Sequence, residues 1–176
     1  ARMAAQGGNV EAFLAIRAAR DSDLEAILDI YNHAVVNTTA TFDMVPRSLE
    51  AQREWFAGHV SPHPVIVWEE DGQVLGWGST SAYSPRPGYK FTGEVSVYVR
   101  EDARGRGIGE ALLRELIALG AAEGLHTLVG RICGENEVRC RLAEKTGFSL
   151  TGVMEEVGYK FDRWLNVAVY QLRLDT

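Results

Sequence analysis

The apolar positions of this chain follow two periods. Four segments repeat apolar residues every three to four positions, as amphipathic helices do. They cover residues 22–36, 48–59, 108–123 and 137–146. The stretches between them are rich in β-branched and aromatic residues, which is typical of strands. Strands are predicted at 13–17, 65–69, 74–82, 91–100 and 125–133, and most of the remainder to Leu174 is also strand. The predicted order is β-α-α-β-β-β-α-β-α-β-β.

Local signals mark the ends of several elements. Asp71-Gly72, between two predicted strands, is a strong signal for a two-residue hairpin turn. Ser22, with Glu25 three residues later, predicts a capping box at the start of the first helix. Gly124 is expected to end the third helix. The residues expected to be buried in the second helix are Leu49, Trp55 and Phe56.

This order predicts an α/β (α+β) fold, with a mixed sheet and helices on both of its faces. The parallel β-α-β unit is expected over 95–133, with a right-handed crossover. A chain of 176 residues suits one hydrophobic core, so residues 12–176 are predicted to form a single domain. Residues 1–11 are expected to be a flexible leader.

Composition narrows the classes of function. A net charge of −6 argues against broad nucleic-acid binding, because phosphate backbones require a basic surface. No apolar run approaches the roughly 20 residues of a membrane helix, so no membrane partner is expected. Cys133 and Cys140 cannot build a disulfide framework or a zinc site, and we expect no metal. The cytoplasm is the expected compartment, since no secretion signal is recognisable.

A glycine-rich turn at 104–109, R-G-R-G-I-G, precedes the third helix. Unpaired N–H groups and the positive dipole end at a helix N-terminus favour anions, and glycine lets a phosphate approach the backbone. Arg104 and Arg106 would add positive charge. The alternative is a tight surface turn between strand and helix. A Walker A loop is excluded because Gly-Lys-Ser/Thr is missing, and the G-x-G-x-G spacing differs from the dinucleotide-binding fingerprint.

Several motifs together resemble the GNAT superfamily of N-acetyltransferases. Arg104-x-x-Gly107-x-Gly109 is similar to its acetyl-CoA motif Q/R-x-x-G-x-G/A, and E-K-T-G-F at 144–148 is similar to its E-K-x-G-F. Within that superfamily, the chain resembles the phosphinothricin/methionine sulfone acetyltransferase group. The segments similar to that group are 30–35, 37–40, 94–99 and 157–165. The resemblance implies a mostly antiparallel central sheet of about six to seven strands.

The resemblance also implies that acetyl-CoA is the co-substrate. Backbone groups of Val97, Tyr98 and Val99 would pair with the pantetheine arm as an added strand does. The diphosphate would lie on the amides of the turn. The residues of that turn are Arg104, Gly105, Arg106, Gly107, Ile108 and Gly109. Asn136 matches the asparagine that contacts the cofactor in the family, and its position also suits an N-cap of the fourth helix.

Glu94 is the candidate catalytic base. It interrupts an apolar strand just before the cofactor turn, and a base must take a proton from the attacking amine. The alternative is an ordinary solvent-facing strand residue, but the resemblance places the base of the related group here. The proton donor is absent, because Ala143 stands where relatives carry Tyr or His. Arg139 and Cys140 stand where small or apolar residues are usual. Tyr98 and Tyr159 are weak substitutes for the donor.

The acceptor pocket is expected between the loops at 37–45 and 83–91 and the segment around 159–164. Its aromatic walls would be Phe42, Tyr83 and Tyr89. Arg86 and Lys90 would hold a carboxylate or phosphinate, or else are exposed loop charges. Trp164 and Arg163 are candidates for a subunit contact, since relatives commonly form homodimers.

Three functions remain open at this point. The first is direct acetyl transfer, in a ternary complex, to the amino group of an acceptor of phosphinothricin, methionine sulfone or sulfoximine type. The second changes the acceptor to a protein N-terminus, lysine or polyamine. The third is a non-catalytic acyl-CoA-binding sensor. The acidity of the chain favours cationic acceptors, whereas Arg86 and Lys90 favour anionic ones.

Overall fold

The structure, a computed structural model, describes residues 15–175. Its strands are β1 (Ile16–Ala18), β2 (Val65–Glu70), β3 (Gln73–Ala82), β4 (Thr92–Val99), β5 (Thr127–Cys133), β6 (Ser149–Lys160) and β7 (Arg163–Arg173). Its helices are α1 (Leu24–Asn37), α2 (Leu49–Ala57), α3 (Ile108–Ala122) and α4 (Glu137–Lys145). This order is the predicted one. The leader expected at 1–11, and the start of the first predicted strand at 13–14, lie outside the described residues.

All seven strands belong to one sheet in the order β1-β2-β3-β4-β5-β7-β6. The β4–β5 pair is parallel and the other five pairs are antiparallel. The prediction of a mixed, mostly antiparallel sheet with one parallel β-α-β unit is therefore confirmed. In the described part of the chain, no helix is both long and apolar enough to span a bilayer.

Two tight hairpins give the sheet its antiparallel ends. Glu70 pairs with Gln73 across Asp71 and Gly72, whose φ angles of 51° and 76° are those of a primed turn. The β6–β7 hairpin turns in the same way at Phe161 and Asp162, with φ of 54° and 56°. The Asp-Gly prediction is confirmed, whereas Phe161-Asp162 carries no such signal.

The expected Ser22–Glu25 capping box is wrong. A 3-10 turn occupies Asp21–Asp23, and α1 follows it directly at Leu24. The Asp23 carboxylate accepts the backbone N–H of Arg20 at 2.7 Å and pairs with Arg17 at 2.7 Å. A salt bridge from β1 therefore fixes this helix start, and no local pattern around Ser22 contains that information.

The core lies in two layers against the sheet. One layer packs α1, through Tyr31, and α2 against Trp77 and Tyr98 of the sheet. The other packs α3 against the opposite face, where Val95, Val97 and Val99 contact its apolar stripe, and α4 packs beside it over β5–β7. In α2 the fully buried residue is Gln52, whose Oε1 accepts from Arg47 at 2.8 Å; the expected Leu49, Trp55 and Phe56 are only partly buried.

Candidate active site at the divergence of two parallel strands

The parallel strands β4 and β5 stay together for only three residue pairs. Their register ends at Glu94 opposite Val129, although β4 continues to Val99. Beyond this point β5 pairs with β7 up to Cys133 and leaves β4. The side of β4 that faced β5 is therefore open from Val95 onward, and Glu94 lies where the two strands separate.

Glu94 faces the layer of α1 and α2, because Val95, Val97 and Val99 point to the other side. Its Oε2 lies 2.7 Å from Nη2 of Arg131, which is two residues beyond Val129, the last residue of β5 that pairs with β4. The Glu94 side chain is 22% exposed and that of Arg131 is 53% exposed. The candidate base is thus partly exposed, with its Oε2 atom buried and a cation beside it.

A histidine just after α2 bonds to the β3 residue that lies opposite Glu94. Ser81 of β3 lies directly opposite Glu94, and its Oγ is 3.0 Å from Nε2 of His59. His59 also makes a 2.7 Å bond between its Nδ1 and the carbonyl of Trp55. Burial lowers the pKa of His59, so its ring is neutral at neutral pH. The arrangement adds a neutral imidazole and a hydroxyl to the surroundings of the carboxylate.

The open edge of β4 presents backbone groups of alternate residues. Tyr98 pairs with Trp77, and Arg100 N–H donates to the Leu75 carbonyl at 2.8 Å, so even-numbered positions bond to β3. Because backbone N–H and C=O groups of successive residues point to opposite sides of a strand, those of Val97 and Val99 point to the open side. Of the three residues predicted to bind the pantetheine arm, these two have suitable backbone groups, and the Tyr98 backbone is used by the sheet.

The turn before α3 has the conformation that an anion site requires. Gly105 and Gly107 have φ of 78° and 81°, which L side chains rarely adopt, and a side chain at either would meet nothing within 4 Å. Gly109 has an ordinary φ and is the second residue of α3. The first, Ile108, has its side chain buried in the core. The first N–H groups of α3 have no helical partner, so they point into open space beside these glycines.

The two arginines of the turn differ in their partners. Arg106 forms a salt bridge of 2.7 Å with Glu70 at the β2–β3 hairpin, so part of its charge is already neutralised. Among residues 15–175, the salt bridges do not include Arg104. Arg104 is therefore the better placed of the two to receive a phosphate.

The start of α4 faces the open edge of β4. Asn136 is its N-cap, since Oδ1 accepts the backbone N–H of Arg139 at 3.2 Å. The N-cap interpretation of Asn136 is confirmed, and its contact with a cofactor stays a prediction. The side chain of Arg139 extends across to β4, where Nη2 donates to the Val97 carbonyl and the guanidinium lies 4.9 Å from the Tyr98 ring centre.

The loop that joins β3 to β4 begins and ends close to Glu94. Tyr83 N–H donates to the Thr92 carbonyl, and the Tyr83 and Tyr89 rings meet edge to face at 5.3 Å. Lys90 lies over the Phe91 ring at 4.8 Å. The side chains of Arg86 and Lys90 are exposed, as a loop charge or an anion-binding group would be.

Phe42 lies on a different wall. Its ring covers Gly158 of β6 so closely that a Cβ there would be 2.7 Å from Cδ2 of Phe42. Two bonds hold its loop: Lys160 Nζ donates to the Thr41 carbonyl at 2.8 Å, and Tyr31 donates to Asp43. Lys160 is only 2% exposed, and burial lowers its pKa. Phe42 is thus joined to β6, as the predicted pocket between these segments requires.

The structure provides no obvious proton donor within the described residues. Ala143 is buried in the core between α4 and the sheet. Tyr98 stacks on Trp77 at 5.0 Å, and burial raises its pKa. Tyr159 is exposed and packs on Trp164 at 4.9 Å. Both tyrosines have packing roles.

Comparison with known proteins places this geometry in a family. Residues 24–148 match the family model "Acetyltransferase (GNAT) family". The chain belongs to this GNAT acetyltransferase family. A Pseudomonas aeruginosa L-methionine sulfoximine/L-methionine sulfone acetyltransferase is 42% identical over 91% of this chain and 94% of its own length.

Solved structures of GNAT enzymes agree with the fold. A Sinorhizobium meliloti phosphinothricin acetyltransferase in complex with AcCoA superposes with a TM-score of 0.88, at 35% identity, over 90% of this chain and 87% of its own. A Brucella melitensis ribosomal-protein-alanine N-acetyltransferase has the same TM-score at 39% identity. The match covers 90% of this chain and 99% of that one. The protein is an acetyl-CoA-dependent acetyltransferase of the GNAT family.

Acetyl-CoA fits the residues present. The open β4 edge offers backbone groups of Val97 and Val99 that no neighbouring strand uses, although the Val97 carbonyl accepts from Arg139, and the turn at 105–107 offers a surface free of side chains. Arg131, His59 and Arg139 were not selected from the sequence as site residues. Arg131 follows from the register of the parallel unit, and Arg139 from its departure from the family pattern.

Proposed function

We propose that this GNAT enzyme transfers an acetyl group from acetyl-CoA to the α-amino group of a small amino acid whose side chain ends in a sulfone, sulfoximine or phosphinate. The observation that carries the proposal is the position of Glu94, at the point where β4 leaves β5 and its edge opens. Two of the three relatives named above are a methionine sulfoximine/methionine sulfone acetyltransferase and a phosphinothricin acetyltransferase.

The roles of the side chains follow from their positions. When bound, acetyl-CoA supplies an acetyl group on a thioester whose thiolate is a good leaving group. Val97 and Val99 hold the pantetheine arm by their backbone groups, and the turn at 104–109 holds the diphosphate. Glu94 accepts the proton that the ammonium group of the acceptor must lose, directly or through a water. The free amine can then form the new N–C bond as the C–S bond breaks, and the departing thiolate takes up the proton that the nitrogen releases.

The acceptor side chain carries the anionic or polar end of the substrate. We assign Tyr83 and Tyr89 to its aromatic wall near Glu94, and Phe42 to the opposite wall. Arg86 and Lys90 supply positive charge on the loop between β3 and β4. Tyr83 and Ser84 stand where the related group often has a Trp-Arg pair, so we expect a preference among acceptors that differs from that group.

The test is release of free thiol from acetyl-CoA with a panel of acceptors. The panel contains methionine sulfone, methionine sulfoximine, phosphinothricin, unmodified amino acids, polyamines and a peptide with an N-terminal alanine. We expect turnover with the oxidised amino acids, and a fall of about 10²- to 10⁴-fold in kcat for Glu94→Gln. Glu54→Gln, an exposed carboxylate on α2, is the matched control and should keep full activity.

A second acceptor class is favoured by the similarity to the ribosomal-protein-alanine N-acetyltransferase. Turnover confined to the alanine peptide would replace the small-molecule proposal by this one. Binding of acetyl-CoA without turnover on any amine would leave an acyl-CoA sensor.

We further propose that the enzyme is a homodimer through the β6 edge of its sheet. Seven large apolar side chains on and beside the β6–β7 hairpin are 42% or more exposed. They are Leu150, Val153, Met154, Val157, Tyr159, Phe161 and Trp164. An exposed apolar edge of this size is typical of an interaction surface. Light scattering should give twice the mass of 19.4 kDa, and Trp164→Glu should give the monomer.

We place the reaction in the cytoplasm. Cys133 and Cys140 are free cysteines, which suits a reducing compartment.

A further inference from the structure

Arg139 occupies the part of the site where the pantetheine arm is expected. It lies in the first turn of α4, and the helix cap uses only its backbone N–H. Its side chain crosses to the open edge of β4 and donates to the Val97 carbonyl. That carbonyl is one of the few acceptors that the divergence of β4 and β5 leaves without a strand partner. The Arg139 guanidinium therefore occupies the open side of this oxygen, from which an amide N–H of the pantetheine arm would approach.

The guanidinium has a cation nearby and no counter-ion. In residues 15–175 no carboxylate pairs with Arg139, and its other neighbour is the face of the Tyr98 ring. Burial and the positive charge of Arg104 both lower the pKa of Arg139. A partly buried cation without a counter-ion is stabilised by an anion that comes close. Arg104 belongs to the turn assigned to the diphosphate, so the anion would arrive on the correct side.

We propose that Arg139 makes binding of the pantetheine arm conditional on the diphosphate. A diphosphate on the turn at 104–109 draws the guanidinium away from the Val97 carbonyl, and this frees the acceptor for the pantetheine amide. A phosphate-free acyl thioester must displace Arg139 without offering it a counter-ion, so it binds poorly. Arg139 is then a specificity-determining residue for the acyl donor. The inference rests on the acetyl-CoA site described above.

Calorimetry with fragments of the donor tests this directly. The probes are acetyl-CoA, ADP and S-acetyl-pantetheine, and the proteins are wild type, Arg139→Ser and Arg139→Gln. Arg139→Ser should bind S-acetyl-pantetheine about tenfold more tightly, because the competing charged hydrogen bond is gone, and ADP about three- to tenfold more weakly. Arg139→Gln keeps a donor for Val97 but has no charge. This variant should weaken ADP binding to the same extent and bind S-acetyl-pantetheine with nearly wild-type affinity.

The outcomes separate this inference from the proposed function. Unchanged or weaker binding of S-acetyl-pantetheine to folded Arg139→Ser would overturn it, as would unchanged ADP affinity in both variants. Circular dichroism checks the fold, and the ADP result for Arg139→Gln decides the question if the serine variant does not fold. Failure of wild type to bind acetyl-CoA would instead reject the cofactor site itself.

Discussion

Nη2 of Arg131 lies 2.7 Å from Oε2 of Glu94, across the gap that opens between two parallel strands. The two residues come from different strands of the β4-α3-β5 unit and meet because Glu94 is the last residue of β4 that pairs with β5. The ion pair holds the carboxylate at the divergence point, where the acceptor amine and the thioester must meet.

Arg131→Gln should lower kcat/KM for the acceptor by about tenfold and leave the Kd of acetyl-CoA unchanged. The reason is that a charge-assisted hydrogen bond fixes the carboxylate, and a misplaced base loses much of its effect. Steady-state kinetics and calorimetry measure the two quantities. Arg173→Gln, an exposed arginine on the adjoining strand β7, is the control. Wild-type kinetics in Arg131→Gln would show that the ion pair does not position the base.

Gly158→Ala should disturb the wall of the acceptor pocket. A methyl group there would be 2.7 Å from Cδ2 of Phe42, so the ring and its loop must move. We expect a loss of about 1–3 kcal/mol in the free energy of unfolding, and a raised KM for the acceptor with an unchanged Kd for acetyl-CoA.

Gly152→Ala on the same strand is the matched control for this variant, since its methyl group would meet nothing within 4 Å. It should keep wild-type stability and KM. Equal effects of the two substitutions would show that Phe42 adapts freely and does not shape the pocket.

Gly107→Ala should weaken acetyl-CoA binding as well as stability. Its φ of 81° strains any L side chain by about 1 kcal/mol, and relaxation of that strain would move the first N–H groups of α3. Gly124→Ala, with φ of 82° and equally open surroundings at the far end of α3, is the control. Both variants should lose similar thermal stability, but only Gly107→Ala should raise the Kd of acetyl-CoA. The expected rise is about tenfold, which corresponds to the loss of one hydrogen bond to an anion. A normal Kd in Gly107→Ala would remove the diphosphate from this turn.

The order of the elements could be predicted because it depends on local rules. Helical spacing along α3, the Asp71-Gly72 turn and Gly124 at the end of the helix all act within a few residues. The pairing of only three residues between β4 and β5 depends on how the rest of the sheet twists and packs. No local sequence pattern predicts it. The divergence, and with it the exposed backbone of Val97, appears only in the structure.

The same distinction explains which site residues were recognised. The glycines of the turn have a local signature, whereas Arg131 gains its importance from a partner 37 positions away. His59 likewise gains its place beside the site from a hydrogen bond to Ser81, 22 positions further along the chain on β3. The wrong capping box at Ser22 has a similar origin, since Arg17 on β1 recruits Asp23.

Asp23→Asn should destabilise the protein in a pH-dependent way. Hydrogen bonds from Arg17 hold the pKa of the Asp23 carboxyl below its usual value, and its side chain is 7% exposed. The pKa of Asp23 is lower in the folded protein than in the unfolded chain, so this stabilisation is fully present above about pH 4. As the pH falls, the unfolded chain binds the proton first, and the stabilisation is lost by the time the pH has passed the folded pKa. At about pH 7 we expect a loss of about 1.5–3 kcal/mol in the free energy of unfolding, measured by urea titration. Asp21→Asn, an exposed neighbour, is the control. The difference from wild type should narrow as pH falls below about 4, and a constant difference would mean that the carboxylate charge is not what stabilises this helix start.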